Sequence, residues 1–491
     1  MTARAELTTL EASGLIEIAA LQPELEYLFR HALVREAAYA TLLKQDRRAL
    51  HRAAAESILS LYNERERELA GVIAMHFELA GETARAAQHF VIAGEHARER
   101  FANKEAVAFF SRAAALADES QIDLRLQAAI GAAAAGLILS DIGPDIDRLE
   151  KALTDADRAD QRLVTQAYFW VAFLRGRRGE VVESSPALRE ALERAEAHVE
   201  ALNDPSAAAL PKALMGSSLA FTGHLREGAR QMRDSLDTIE AKGDPLSAAM
   251  VADLLALAYA RLGDFAAAEE THARAKRLAG GGDAIARIDE EIAAAAIHLE
   301  RGELEQASAK ALQCATRAED LGAYVCELSS DVMFGAASLA LEDALAAKGP
   351  LERGSELALV TKLPPLQTLI QGLLGSARAQ LGDLPAGVAA WDEALASARA
   401  MNDRYGEAIT LWGRARSYVR QPTPDWIAAL SDLDRAIELF EAMEARPSLA
   451  RALYDRAQAL RGLGRVDQAA DADSRARELG RELGLRDTPF S

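Results

Sequence analysis

The sequence predicts an all-α protein, a right-handed superhelical solenoid of stacked helix hairpins, preceded by a small N-terminal segment of different character. Half of the 491 residues are hydrophobic, but only 5% are aromatic, and most of the small apolar residues are Ala. Ala is the best helix former and lets neighbouring helices approach closely. A glycine followed by small residues at fixed offsets also recurs about every 40 residues. Because 491 residues exceed a single compact core, an elongated array of repeats is expected.

The repeat is clearest in "YARLGDFAAAEETHARAKRL", where Gly263 is followed by Ala268 after five residues and by Ala275 after twelve. Four further copies keep both offsets: Gly223/Gly228/Ser235, Gly302/Ala307/Cys314, Gly382/Gly387/Ala394 and Gly464/Ala469/Ala476. Weaker copies begin at Glu342 and Pro424, so successive turn positions lie 39 to 42 residues apart. This regularity indicates one supersecondary unit repeated along the chain.

Each unit is predicted to be two antiparallel helices, A and B, joined by a tight turn at the glycine. Gly ends helix A because it adopts the left-handed cap conformation without strain. An Asp or Glu follows the Gly in several copies, where its carboxylate meets the positive end of helix B. The small residues at offsets five and twelve share one face of helix B, so helix A can approach closely. Stacked hairpins then bury a continuous core that one hairpin could not form.

The stretch "LALAYARLGDFAAAEETHARA" places Tyr259, the run Leu262–Phe265, Ala268 and Ala275 in a known pattern. This pattern resembles the tetratricopeptide repeat family, over roughly residues 65–485. The unit is longer than the family's repeat of about 34 residues, and the Pro that closes each repeat is mostly missing. The resemblance implies a non-catalytic interaction or scaffold module. Its concave face, lined by the A helices, would bind a protein or peptide partner.

The N-terminal residues 1–62 do not follow the repeat. The runs "GLIEIAA" and "ELEYLF" are rich in β-forming residues and predict a β-hairpin. Helical periodicity begins at Arg30, and a second helix is predicted from about Asp46 to Tyr62. A helix, a hairpin and further helices in this order predict a partial winged-helix domain.

Within that segment, "EYLFRHALVREAAYATLL" resembles the winged helix that follows the ATPase core in signal-transduction NTPases, the STAND class. In the related NB-ARC proteins a histidine at the position of His31 contacts the β-phosphate of ADP. The resemblance therefore implies a nucleotide-sensing role for His31 and Arg35, although Ala32 replaces an acidic residue of the family's pattern. The alternative is that His31 is a partly buried, hydrogen-bonded structural residue. The chain has no Gly-x-x-x-x-Gly-Lys-Ser/Thr loop, so a nucleotide site within it would be incomplete.

Two functions follow from these resemblances. The first is the interaction or scaffold module. The second is the C-terminal sensor or regulatory part of a bacterial STAND-type signalling ATPase, linked to an adenylate or guanylate cyclase or to a large LuxR-type regulator. Its nucleotide-binding core would then lie in the parent protein or in a separate chain. A DNA-binding regulator is disfavoured because the C-terminal sequence shows no helix-turn-helix pattern.

The chain is predicted to divide into a partial winged helix at 1–62, less regular repeats at 63–200, regular repeats at 201–485 and a tail at 486–491. No catalytic residue, cofactor or metal site is predicted. His89 and His96 are seven residues apart with no further ligand at metal-binding spacing, so they are predicted to lie on a solvated helix face. Trp391 occupies a packing position of the repeat and is predicted to be a core residue.

The charge and the cysteine content limit which partners and which cellular compartment are expected for the protein. The formal net charge is −19, and only short basic runs occur, so no nucleic-acid partner is expected. Cys314 and Cys326 are predicted to be small buried residues in a reducing cytoplasm. No secretory signal pattern and no membrane-spanning stretch can be identified. The sequence therefore predicts a soluble cytoplasmic protein without a membrane partner.

Overall fold

The computed structural model describes residues 3–20, 26–100, 102–137, 142–180, 182, 184–280, 284–487 and 490. Over these residues the chain forms 24 α-helices and a single two-stranded sheet. The predicted all-α fold and the small N-terminal hairpin are therefore both confirmed.

The N-terminal segment contains the two strands. Its elements are α1 (Ala3–Ala12), β1 (Ile16–Ala20), β2 (Glu26–Phe29), α2 (Ala32–Thr41) and α3 (Lys44–Leu61). The strands are antiparallel, with Ile16 opposite Phe29 and Ile18 opposite Tyr27. The turn that joins them lies outside the described residues. Ala55 of α3 is buried, and α3 packs on the first helix of the array, so α3 continues the helical stack. The division at residue 62 stays a prediction.

The first part of the array is less regular than the second. Its helices are α4 (Glu66–Ala80), α5 (Thr83–Glu99), α6 (Asn103–Leu116), α7 (Ile122–Gly136), α8 (Gly143–Ala152), α9 (Gln161–Arg177), α10 (Pro186–Leu202), α11 (Ala209–Phe221) and α12 (Leu225–Ala241). Short 3₁₀ turns occur at Asn63–Arg65, Leu153–Arg158 and Pro205–Ala208. Helix α8 has only 10 residues and continues into one of these turns. This helix lies within 63–200, the part of the chain predicted to have less regular repeats.

Six regular hairpins complete the array. Their helices are α13 (Pro245–Leu262), α14 (Phe265–Ala279), α15 (Ala284–Arg301), α16 (Leu304–Leu321), α17 (Tyr324–Ala340), α18 (Ala344–Thr361), α19 (Pro364–Gln380), α20 (Leu384–Ala400), α21 (Arg404–Val419), α22 (Trp426–Met443), α23 (Arg446–Gly462) and α24 (Val466–Leu483). From α9 onward, each odd-numbered helix packs on the even-numbered helix that follows it and, from α11 to α23, also on neighbouring odd-numbered helices. The odd-numbered A helices form an inner layer, and the even-numbered B helices form an outer layer.

Within each hairpin the turn and the helix start are set locally. Gly263 ends α13 at φ +82°, in the left-handed region that an L side chain adopts only with strain. Asp264 then caps α14 by accepting a hydrogen bond from the backbone N–H of Ala267 at 3.1 Å. The side chains of Asp343, Asp383 and Asp425 cap α18, α20 and α22 in the same way.

Helix α13 is the one described helix that is long and apolar enough to cross a membrane by composition alone. Two thirds of its residues are buried inside the protein. Val251, Leu255 and Ala258 pack in the core between neighbouring hairpins. Its hydrophobicity is therefore accounted for by its position as a central helix of the solenoid.

The solenoid curves until its C-terminal end meets its own middle. Helix α23 contacts α13 and α15, although it lies five hairpins beyond α13. The backbone N–H of Arg486 donates to the carbonyl oxygen of Arg301 at 2.9 Å, and that of Arg404 donates to Thr222 at 3.1 Å. Arg226 also pairs with Glu444. We call these contacts between the α11–α16 region and the α21–α24 region, with the tail at 485–487, the closing contact.

The closing contact yields a stability prediction at two turn glycines. Gly302 and Gly382 both have positive φ, +86° and +94°. A Cβ at Gly302 would lie 2.7 Å from the backbone nitrogen of Asp487, whereas a Cβ at Gly382 would meet nothing within 4 Å. We expect Gly382→Ala to lower the free energy of unfolding by about 1–2 kcal/mol, from backbone strain alone. Gly302→Ala should lower it further, because the tail must also move. If urea unfolding showed that both substitutions lower the free energy of unfolding equally, this result would contradict the closing contact.

Candidate functional site: the central cavity

The curved inner layer encloses a cavity of about 750 Å³. Its walls come mainly from the A helices α9 to α23, and residues of the closing contact complete them. This volume lies within the range of about 300–1,000 Å³ that is typical of pockets for small ligands. The concave face of this solenoid is therefore a partly open chamber, which is too small for a folded domain.

Most of the cavity surface is apolar. The residues that give it this character include Phe173, Leu214, Met250, Leu254, Ile292, Val332, Leu366, Ile409 and Phe490. Trp412 and Tyr454 add aromatic surface with a polar tip. An interior of this kind binds apolar groups, while a few polar groups fix their orientation.

One sequence register recurs along the wall, two residues before the turn of successive hairpins. The residues at this position are Arg177, Phe221, Arg261, Glu300, Ala340 and Gln380, and all of them line the cavity. The register arises because A helices of similar length present the same point of their last turn to the interior. Sequence reasoning missed these residues, although the turn positions at Gly179, Gly223, Gly263, Gly302, Glu342 and Gly382 would have located them.

Several charged groups of the cavity are paired within the protein. The guanidinium of Arg420 lies 2.6 Å from the Glu342 carboxylate, and that of Arg416 lies 3.7 Å from Asp455. The Asp253 carboxylate lies 2.8 Å from Nδ1 of a neighbouring histidine on α14, and burial raises the pKa of this acid. These pairs hold side chains in place and leave little net charge.

A buried network lies where the cavity meets the closing contact. The hydroxyl of Tyr405 donates to Glu300 Oε1 at 3.3 Å, and burial raises the pKa of Glu300. Arg451 donates to the backbone oxygen of Glu300 at 3.0 Å and to both carboxylate oxygens of Asp487, at 2.6 and 3.0 Å. The guanidinium of Arg261 stacks 4.0 Å from the centre of the Tyr405 ring. The network joins α13, α15, α21, α23 and the tail at one point.

Two arginines of the cavity lack an acidic hydrogen-bond partner among the described residues. Arg261 is only 8% exposed, and its Nη1 has no hydrogen-bond partner there. Arg177 has no carboxylate within ion-pairing distance in the described chain, and its guanidinium carbon lies 5.6 Å from the centre of the Phe173 ring. Burial lowers the pKa of Arg177 to about 10, so the side chain remains charged at neutral pH. Such groups are costly unless something pairs with them.

His31 and Arg35 do not line this cavity, whose lining residues begin at Leu137. His31 is the exposed residue that precedes α2, and its side chain makes no capping hydrogen bond. Arg35 is exposed beside Glu36, with 3.8 Å between their charged groups. The interpretation of His31 as a partly buried structural residue is therefore wrong. The nucleotide-sensing role of His31 stays a prediction.

The structural residues of the repeat lie in the hairpins. Gly223, Gly263, Gly302, Gly382 and Gly464 all have positive φ, and Ala268 and Ala275 are buried on α14. Trp391 is fully buried and donates to the carbonyl oxygen of Gly372 at 3.1 Å, as expected of a core residue.

The histidine pair of α5 is only partly on a solvated face. His89 is 8% exposed and packs on Phe77, with 5.2 Å between ring centres. The prediction of a solvated position for His89 is therefore wrong. The small residues around it, such as Ala86 and Ala93, let α5 pack closely on its neighbours and enclose the ring. Across the described residues, no group of three His, Cys, Asp or Glu side chains is placed to hold a metal ion.

No protein-family model matches the chain, and no curated protein matches it. Solved structures do resemble it. A Rap protein complexed with competence and sporulation factor is 14% identical, with a TM-score of 0.49, over 81% of this chain and 98% of that one. The apo form of the quorum sensor NprR from B. thuringiensis is 14% identical, with a TM-score of 0.44, over 73% of this chain and 99% of that one.

A third structure is a STAND protein with a tetratricopeptide repeat sensor from Pyrococcus horikoshii. It is 17% identical, with a TM-score of 0.44, and the match covers 81% of this chain but only 59% of that one. Matches at these identities and TM-scores carry no further argument. In its own helix order and packing, the described chain is a solenoid of stacked helix hairpins.

The capping residue of α21 gives a pH prediction beside this site. Asp403 is 2% exposed and accepts a hydrogen bond from the backbone N–H of Gly406 at 2.9 Å, and burial raises its pKa to about 6. The folded state therefore gains its full stabilisation from protonated Asp403 below the unfolded pKa, near 4. This stabilisation is lost as the pH rises through 6. Asp403→Asn keeps the cap but cannot ionise. We expect this variant to gain on the order of 2–3 kcal/mol at pH 7.5 relative to the wild type.

Urea unfolding at a series of pH values between about 4 and 8 checks this prediction. The difference between wild type and Asp403→Asn should be small near pH 4 and should grow up to about pH 7. Asp383→Asn is the matched control, because Asp383 caps α20 with an exposed side chain. A difference that does not depend on pH would show that Asp403 ionises freely in the folded protein.

Proposed function

We propose that this chain is a non-catalytic binding module whose central cavity holds a short peptide. The observation that carries the proposal is that the concave face forms a partly open, largely apolar chamber of about 750 Å³. Apolar walls with a few polar groups at fixed positions suit an extended peptide with hydrophobic side chains. A folded partner would have to bind the outer layer or the rim. Cys314 and Cys326 are buried free thiols, which supports placing the module in a reducing cytoplasm.

Filling the cavity tests this proposal. Ala336 lies on α17 and lines the cavity, whereas Ala389 lies on the exposed face of α20. We expect the wild-type protein to retain peptides from a library of short random sequences, as detected by mass spectrometry after gel filtration. Ala336→Phe should abolish this retention because the added ring occupies the chamber, and Ala389→Phe should not. Retention that survives Ala336→Phe would place the peptide elsewhere.

A second function is favoured by one surface observation. Helix α2 has no buried residue, and Leu33, Leu43 and Leu61 of the N-terminal region are each more than 70% exposed. Apolar surface of this kind is typical of an interface. The alternative proposal is therefore that α2 docks on the nucleotide-binding core of a STAND-type ATPase, in the same polypeptide or in another, and that the solenoid is its sensor. His31 and Arg35 would then face the nucleotide.

Substitution at His31 separates the two functions. Because His31 is exposed, His31→Ala should leave the thermal unfolding temperature unchanged. If α2 docks on an ATPase, the tagged protein should capture an ATPase from lysate in ADP and release it in ATP, and His31→Ala should weaken this difference. His96→Ala on α5 is the control. Capture that does not respond to nucleotide in either variant would contradict the regulatory function and leave peptide binding unaffected.

A further inference from the structure

The cavity contains one kind of charge that is not satisfied within the described chain. Arg416, Arg420 and Arg451 each lie within ion-pairing distance of a carboxylate. Arg177 does not, and Arg261 has a guanidinium nitrogen without a partner although the side chain is more than nine-tenths buried. Both side chains occupy the same register, two residues before the turn of α9 and of α13. The interior of the solenoid therefore offers cationic groups to a ligand at two defined points.

We propose that the ligand of the cavity carries a carboxylate on an otherwise apolar short peptide, and that Arg177 is its principal counter-charge with Arg261 as a second contact. This inference rests on the proposed function and names the chemistry of its ligand. The carboxylate is either the C-terminal carboxylate of the peptide or that of an Asp or Glu side chain.

The choice of a carboxylate follows from the geometry and the charge of the site. A guanidinium is a planar fork that binds a carboxylate through two parallel hydrogen bonds. The Phe173 ring lies against Arg177, and the cavity wall is largely apolar, so such a pair is stronger there than in water.

The unpaired charge also makes a prediction in the absence of ligand. Arg177 is a half-buried cation without a counter-ion, which costs desolvation in the folded state, so its replacement by a neutral side chain of similar length should not destabilise the protein. We therefore expect Arg177→Gln to fold and to unfold at the same temperature as the wild type or at a higher one. Arg178 is the adjacent residue, is exposed and does not line the cavity, so Arg178→Gln is the matched control.

The experiment uses the full chain and two libraries of N-acetylated short peptides, one with free C-termini and one amidated. Peptides retained after gel filtration are identified by mass spectrometry, and the affinities of the best are measured by calorimetry. Arg177→Gln should weaken binding about 10- to 100-fold, the effect of losing a charged hydrogen-bonded pair. Arg178→Gln should leave it unchanged, and Arg177→Lys should recover part of it because the charge is retained.

The outcomes distinguish the two sources of the carboxylate. They also distinguish failure of this inference from failure of the proposed function. Retention of the free library alone identifies the C-terminal carboxylate, and enrichment of Asp or Glu in both libraries identifies a side chain; either supports the inference. Retained peptides without an acidic group, or equal binding by Arg177→Gln and the wild type, overturn the inference while peptide binding stands. Retention of no peptide from either library by the wild type overturns the proposed function itself.

Discussion

The close approach of the two helices within each hairpin is the constraint on which the rest of the structure depends. A Cβ at Gly216 would lie 2.8 Å from the carbonyl oxygen of Gly228, and one at Gly387 would lie 2.9 Å from that of Gly375. Backbones in direct contact make each hairpin thin, so that successive hairpins are stacked with small rotations. The sum of these rotations brings α23 back to α13. The closing contact and the central cavity are consequences of that curvature.

The hairpins were predictable from the sequence because their determinants are local. The turn glycine, the capping Asp and the small residues at offsets five and twelve lie within one unit, and each acts on its own neighbours. A further determinant was equally available: a small residue lies seven positions before each turn, as at Gly216, Ala256, Ala295 and Gly375, where helix A meets helix B. The N-terminal hairpin was predictable for the same local reason, from its β-forming runs.

The cavity was not predictable in this way. Periodicity shows which residues share a face of a helix, but closure depends on rotations summed over five hairpins, and an error of a few degrees in each would open the ring. The pairing of Arg451 with Asp487 and Glu300 joins segments that no local pattern relates. His31 shows the converse difficulty. Its resemblance to a family position follows from the residues next to it in the sequence. A nucleotide-sensing role would also need groups that none of the described contacts of α2 supplies.

Arg261 connects the ligand chemistry to the architecture. Its guanidinium borders the cavity and also stacks on Tyr405, which is hydrogen-bonded to Glu300 in the closing contact. Under the proposed function, a carboxylate that binds Arg261 acts on a side chain that already helps to hold α13 against α21. Binding and closure would then be linked equilibria, and linkage is reciprocal: a ligand that prefers the closed ring stabilises it by the same factor by which closure tightens its binding. A loss of contact at Gly302 or Arg451, both of which also line the cavity, should therefore weaken ligand binding.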